Sequence, residues 1–266
     1  MVFLGALAGA MLVYPGAAAE AAGRALSLWA RAVVPSLGPF MICMLMLSGR
    51  MGGSIALRVL MGWLCGSPGG ARLISSLPQD KKSALRCAAL TGTMSPMFFI
   101  GTVGGQLSVP GAGWLLLGCH LLGAVLCGLL MPGRLPKLRL QPHPLSFFTA
   151  LSDCAQALLT IALCMMLGSV SAAMAANALP HLPGWAALTL QCALEVTGGV
   201  EALIASRPPL MLPLLCAACS FGGLSILLQN TVFWQQAGLK MGHLLLLRLL
   251  HAAISLCLCL AAVKFL

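Results

Sequence analysis

The sequence predicts an all-α protein that crosses the membrane several times. It predicts two repeats, inverted relative to one another, each with a re-entrant helical hairpin. Three observations carry this. Of the 266 residues, 60% are hydrophobic and only 8% charged, against about a quarter charged in soluble domains; mean hydropathy is +1.00. Two apolar segments, 59–77 and 185–206, are interrupted by Gly- or Pro-bearing breaks at 65–72 and 195–201. The breaks hold matching places in two halves, the pattern that points to a transporter's binding site.

Residues 1–19 are apolar up to Pro15-Gly16. With no basic residue ahead of the apolar run, they make a poor signal peptide. They suggest a short first span or anchor, and 1–24 is set apart as that unit. Residues 20–31 suggest a polar, partly amphipathic link, and 32–48 a span interrupted by Pro35 and Pro39. A basic connection, 50–58, leads into 59–77, which contains the first break. Asp80-Lys81-Lys82 with Arg86 suggests a basic turn. The run 87–133 has no Asp, Glu, Lys or Arg. At roughly 20 residues per crossing it holds two spans, 87–107 and 114–131, parted at Pro110-Gly111. Repeat 1 is therefore 25–131. Residues 132–146 carry Arg134, Lys137 and Arg139 among prolines and suggest a cytosolic linker.

Repeat 2, 147–266, follows the same plan. A long span at 147–176 precedes a turn at 180–183. The second break lies in 185–206, and spans at 210–234 and 243–263 close the chain. Gly69-Gly70 and Gly198-Gly199 lie 129 positions apart, as do Cys87-Ala88-Ala89 and Cys216-Ala217-Ala218; His120 and His251 lie 131 apart. A common offset in a common order suggests internal duplication. Loop charge does not decide the topology. Full crossings would exchange Arg24, Arg31, Arg207 and Lys264 for Arg50, Arg58, Lys240 and Arg248, four for four. Local sequence favours hairpins, because Pro68 followed by Gly69-Gly70 makes a better turn than a helix interior.

Composition also excludes classes. The net charge is +10, but the basic residues sit in connections and at span ends, not on one face with aromatics as nucleic-acid binding needs. The twelve cysteines are scattered through apolar segments, and Cys216-x-x-Cys219 is a lone pair without a nearby His; no metal or disulfide framework is argued. Without a nucleophile elbow, a HExxH or a phosphate loop, neither an enzyme nor a cofactor is expected.

The polar residues at the breaks are the candidate binding set. Glu195 and Glu201 are two of five acidic residues, and a carboxylate inside a membrane usually faces an interior cavity. The structural alternative pairs one of them with Arg72 or Arg207. Arg72 either snorkels at a hairpin end or pairs with an anionic ligand. Ser67, Thr93, Ser95, Thr197, Ser220 and Ser225 flank the breaks, where hydroxyls either cap half-helices or line a site. Gln229 lies one turn past Ser225, on the same face. Amides at Gly69, Gly70, Gly198, Gly199, Gly222 and Gly223 would favour a carboxylate ligand. His120 and His251 are weighed as core histidines ahead of a proton relay, and Asp153 as an interfacial cap.

Four ordered motifs carry a resemblance over about 25–263: Cys65-Gly66-Ser67-Pro68-Gly69-Gly70-Ala71-Arg72; Thr91-Gly92-Thr93-Met94-Ser95-Pro96-Met97-Phe98 with Gly101-Thr102-Val103-Gly104; Glu195-Val196-Thr197-Gly198-Gly199; and Ser220-Phe221-Gly222-Gly223-Leu224-Ser225-Ile226 with Gln229. They resemble the nucleoside-recognition, or Gate, membrane family, in particular its YlbJ-like sporulation proteins. The Tyr and the Asn residues of that family's motifs are absent here. The resemblance implies a fold like the core of concentrative nucleoside transporters. It also implies a transporter or permease for a small solute, anionic like dipicolinate or nucleoside-like, at the outer forespore membrane. A non-transporting scaffold for a sporulation partner is the alternative. The expected partners are that solute and the bilayer, and not nucleic acid; a coupling ion and self-association stay open.

Overall fold

The computed structural model describes residues 2–50, 54–75, 77, 80–136 and 144–265. Among them the chain is helical, without a strand. Five helical segments are long and apolar enough to cross a membrane: Pro15–Arg50, Ala112–Leu130, Phe147–Ala178, Met211–Ala237 and Met241–Ala262. Large apolar side chains lie exposed along them, including Trp114, Leu129, Phe148, Leu163 and Leu246. Such a surface suits lipid and not water, so the chain is a multi-pass membrane protein.

Helix α1 (Val2–Val13) has 12 residues, about 18 Å, too short for the expected first span. Helix α2 (Pro15–Leu28) starts with Pro15 in its first turn, where the missing N–H costs nothing. The expected polar link is instead continuous helix. Helix α2 passes through a π turn at Trp29–Val33 into α3 (Val34–Arg50). Proline 35 has no amide to donate, and the wide turn ahead of it absorbs the gap. Ser36 Oγ donates to the Ala32 carbonyl at 2.6 Å. Ala18, Ala21 and Ala25 form the buried stripe of α2, which packs on the long helix Phe147–Ala178.

Helix α4 (Ile55–Cys65) and α5 (Gly69–Ser75) pack together, joined at the first break. Helix α6 (Lys81–Thr91) begins six residues before the expected span, because Asp80 caps it, accepting from Ser83 N at 2.6 Å. The segment expected as one span, 87–107, is interrupted. Gly92 to Ser95 have no helical assignment, and the chain resumes as a π turn (Phe98–Val103) and a 3-10 turn (Gly104–Gln106). Helix α7 (Ala112–Leu130) follows, and Arg86 donates to the carbonyls of Leu129 and Met131 at its end. Lys137 and Arg139 of the linker lie outside the described residues.

The long helix α8 (Phe147–Ala178) carries 32 residues. Helices α9 (Gly184–Leu194) and α10 (Val196–Ser206) meet at Glu195. The segment expected as an unbroken span, 210–234, is two helices, α11 (Met211–Phe221) and α12 (Gly223–Trp234). Gly222 and Gly223 between them have φ of +81° and +70°, values only glycine adopts cheaply. Helix α13 (Met241–Ala262) closes the fold, and α7, α11 and α13 pack on one another. Helix α12 touches both α5 and α9, so it is an element common to both broken helix pairs.

The Asp80 cap has a pH signature. The Ser83 amide holds the exposed Asp80 carboxyl below the usual carboxylate range. Its contribution is therefore full above the unfolded value, near 4, and is lost as pH falls through the lowered folded value. Asp80→Asn should flatten the acid limb of a melting-temperature profile in detergent. Superimposable acid limbs would show that the cap has no such linkage.

Candidate functional site

The four breaks lean on one another. Gly66, with φ +67°, lies so close to the 92–95 segment that a Cβ there would sit 2.4 Å from Ser95 N. Ser67 N donates to Thr93 O at 2.8 Å, so the first helix pair is bonded at its tip to the neighbouring break. The Ser67–Pro68 peptide is cis. In the second half the Glu195 carboxylate accepts from Thr197 N at 2.8 Å and Gly198 N at 2.6 Å. Glutamate 195 is thus the N-cap of α10. The start of α12 presses on the same turn: a Cβ on Gly223 would lie 3.0 Å from Cys192 O.

A small pocket of about 50 Å³ lies where these tips converge. Ser67, Ser95, Glu195, Thr197, Ser225 and Gln229 supply its polar lining, against an apolar wall that includes Val33, Leu37 and Ile161. Ser225 Oγ is buried without a hydrogen-bond partner among the described residues. Asn230, which sequence reasoning passed over, donates to Ser67 Oγ at 3.3 Å and ties α12 to the first tip. The available signal was the polar triplet Gln229-Asn230-Thr231 in an apolar stretch.

The other candidates lie elsewhere. Arg72 pairs with Asp153 at 2.7 Å, joining α5 to α8. Neither glutamate takes it, and Asp153 is a clamp where an interfacial cap was expected. Thr93 is fully buried with its Oγ1 unpartnered. Ser220 bonds His120. Gly69, Gly70, Gly199, Gly222 and Gly223 serve close packing at the turns. A Cβ on Gly70 would meet Gly62 O at 2.9 Å, and one on Gly199 would meet Cys192 Cα at 2.6 Å. Gly198 faces a second, open cavity of about 740 Å³ between α2, α8 and the α9–α10 pair. Arg24, Arg31 and Glu201 border that cavity, and Glu195 borders both. The Gly198 amide, expected to favour a ligand carboxylate, already holds the protein's own, together with the Thr197 amide.

Histidine 120 joins two breaks. Its Nε2 accepts from Met94 N at 3.0 Å. Its Nδ1 therefore carries the proton and donates to Ser220 Oγ at 2.8 Å. His251 Nε2 donates to the His120 carbonyl at 2.8 Å, and the two rings lie 4.6 Å apart. With both His120 nitrogens occupied, the geometry suits a core clamp and not a relay. No group of three or more His, Cys, Asp or Glu able to hold a metal is found among the described residues.

No family model matches the chain, and no solved structure matches it. The chain is similar to the sporulation integral membrane protein YlbJ of Bacillus subtilis (strain 168). Identity is 30% over 180 residues, covering 58% of this chain and 44% of that protein. It thus matches less than half of that relative's length.

Two substitutions test these contacts. His120→Ala leaves the Met94 amide and the Ser220 hydroxyl without their partner and should cost about 2–4 kcal/mol in an unfolding titration; a smaller loss than 1 kcal/mol would show that solvent or a neighbour replaces the ring. A double-mutant cycle on Arg72→Gln and Asp153→Asn should give a coupling of about 0.5–1 kcal/mol, since the pair is part-exposed. Strict additivity would mean the pair does not clamp α5 to α8.

Proposed function

We propose that this chain is a membrane permease for a small solute, with its site where the two broken helix pairs meet. The observation that carries this reading is the shared lining of the small pocket. Ser67 and Ser95 come from the first half, and Glu195, Thr197, Ser225 and Gln229 from the second. At about 50 Å³ the cavity is far smaller than the roughly 300 Å³ of a small-molecule pocket. In this reading the structure is a closed form, and solute enters by a rearrangement that joins this space to the larger cavity across Glu195. The similarity to a sporulation protein supports a sporulation-linked role, with the outer forespore membrane as the implied location.

The reading includes re-entrant helix pairs and inverted repeats. Helices α4 and α9 have 11 residues each, about 16 Å, half the hydrocarbon thickness. A pair of that length suits a path in and back out. A shift of 129 residues carries the bounds of α4 onto those of α9, and the start of α7 onto that of α13. It also carries Pro15–Arg50 close to α8. Each half then crosses three times, and an odd number turns the second half over. This is the arrangement that the resemblance to the Gate family and nucleoside-transporter cores implies. The hydroxyl, amide and carboxylate lining suits a nucleoside-like face. An anionic solute such as dipicolinate needs a cation, and Arg72 is committed to Asp153.

Purified protein in proteoliposomes should take up dipicolinate or uridine above protein-free vesicles, and Gln229→Leu should reduce that flux at least tenfold at equal protein density. Equal flux with and without protein rejects the permease. For topology, single cysteines at Arg58 and Lys81 in a background without native cysteines should be labelled from one side of the membrane. Labelling from opposite sides means full crossings and removes the inverted repeat.

A further inference from the structure

Arg248 sits in the second turn of α13, 93% buried by its 7% exposure. Sequence reasoning counted it among the loop charges, but it lies inside the bundle. A guanidinium stays protonated at any working pH, and an uncompensated buried charge costs several kcal/mol. The chain has five carboxylate side chains with which to compensate it, and each is placed elsewhere. Glu20 pairs with Arg24. Asp80 caps α6. Asp153 holds Arg72. Glu195 caps α10. Glu201 borders the larger cavity. Among the described residues the Arg248 guanidinium makes neither an ion pair nor a hydrogen bond.

The guanidinium lies against Gly92, where a Cβ would sit 2.8 Å from both Cζ and Nη2. That contact places it at the carbonyl end of α6, whose dipole offsets only part of a unit charge. The next residue, Thr93, has a fully buried hydroxyl with no partner among the described residues. Ser95, three residues on from Gly92, lines the small pocket. The other groups packed near Arg248 are the Cys127 thiol and the His251 and His120 rings, none of which is a carboxylate.

We propose that Arg248 and Thr93, gathered at Gly92, form a binding site for a small carboxylate-bearing anion. The assignment rests on the permease reading only for its significance: it names the cation that an anionic solute needs and that Arg72 does not supply. Gly92 is the position that senses the guanidinium, since a side chain there would take the space the guanidinium occupies.

The test is a thermal-shift titration of the purified full chain in detergent with sodium formate, against its neutral isostere formamide, in a background of sodium gluconate. Formate should raise the melting temperature saturably, and formamide should not. Arg248→Gln should abolish the formate shift, Arg248→Lys should require at least tenfold more formate, and Arg72→Gln should leave it unchanged. If Arg248→Gln does not fold, Gly92→Ala is read in its place, with the same tenfold weakening expected. No formate shift in the wild type at about 100 mM, or an equal shift in the Arg248 and Gly92 variants, overturns the site. The assay uses no flux. Loss of formate binding on mutation therefore stands even where proteoliposomes transport nothing, and intact formate binding with no transport rejects the permease alone.

Discussion

A helix interrupted inside a bilayer frees amides and carbonyls that lipid cannot bond, and much of this fold answers that constraint. The interruptions are placed so that each helps to satisfy another. Thr93 O receives the Ser67 amide, His120 receives the Met94 amide and reaches Ser220 at the end of α11, and Glu195 receives the two amides that follow it. None of these breaks would be comfortable alone. Together they make a polar knot with an apolar shell, and the knot lines the small pocket. Charge follows the same pattern: with so few carboxylates, each one is placed in a cap, an ion pair or a cavity wall.

The Glu195 geometry changes how a ligand would be received. Helix N-termini attract anions through free N–H groups. Here the protein's own carboxylate already occupies that position at α10. A solute reaching this end of the cavity from the open side meets an acidic oxygen and not a cluster of donors. The same residue lines both spaces.

The membrane character and the breaks were legible because composition and Gly-Pro punctuation report directly on backbone chemistry. Ser67, Ser95, Glu195, Thr197, Ser225 and Gln229 could be picked out as a set because polar side chains beside breaks in apolar stretches have few other places to go. What escaped was partner choice. Arg72 with Asp153, and His120 with Met94 and Ser220, join positions far apart in the chain, and no local pattern encodes such a pairing. Arg248 was misjudged because a span-end arginine and a buried arginine have the same sequence neighbourhood. Helix 15–50 was misjudged for a different reason. Its buried positions slip in phase, with eight residues from Ala25 to Val33 where two regular turns hold about seven, so strict periodicity misses a continuous helix.

That slip is the π turn at Trp29–Val33, and it acts as a one-residue shim. It lets Ala18, Ala21 and Ala25 on one side of it, and Val33, Met41 and Leu45 on the other, all stay buried. Trp29 Nε1, donating to Leu158 O at 2.9 Å, pins the shim to α8. Removing a single residue there would restore regular helix and turn the two ends by about 100° relative to one another. The alanine stripe of α2 would swing off α8 while α3 stayed seated, and the wall that bears Arg24 would rotate out of the larger cavity. One surplus residue thus sets the angular phase between the two walls that this helix contributes, one to each cavity.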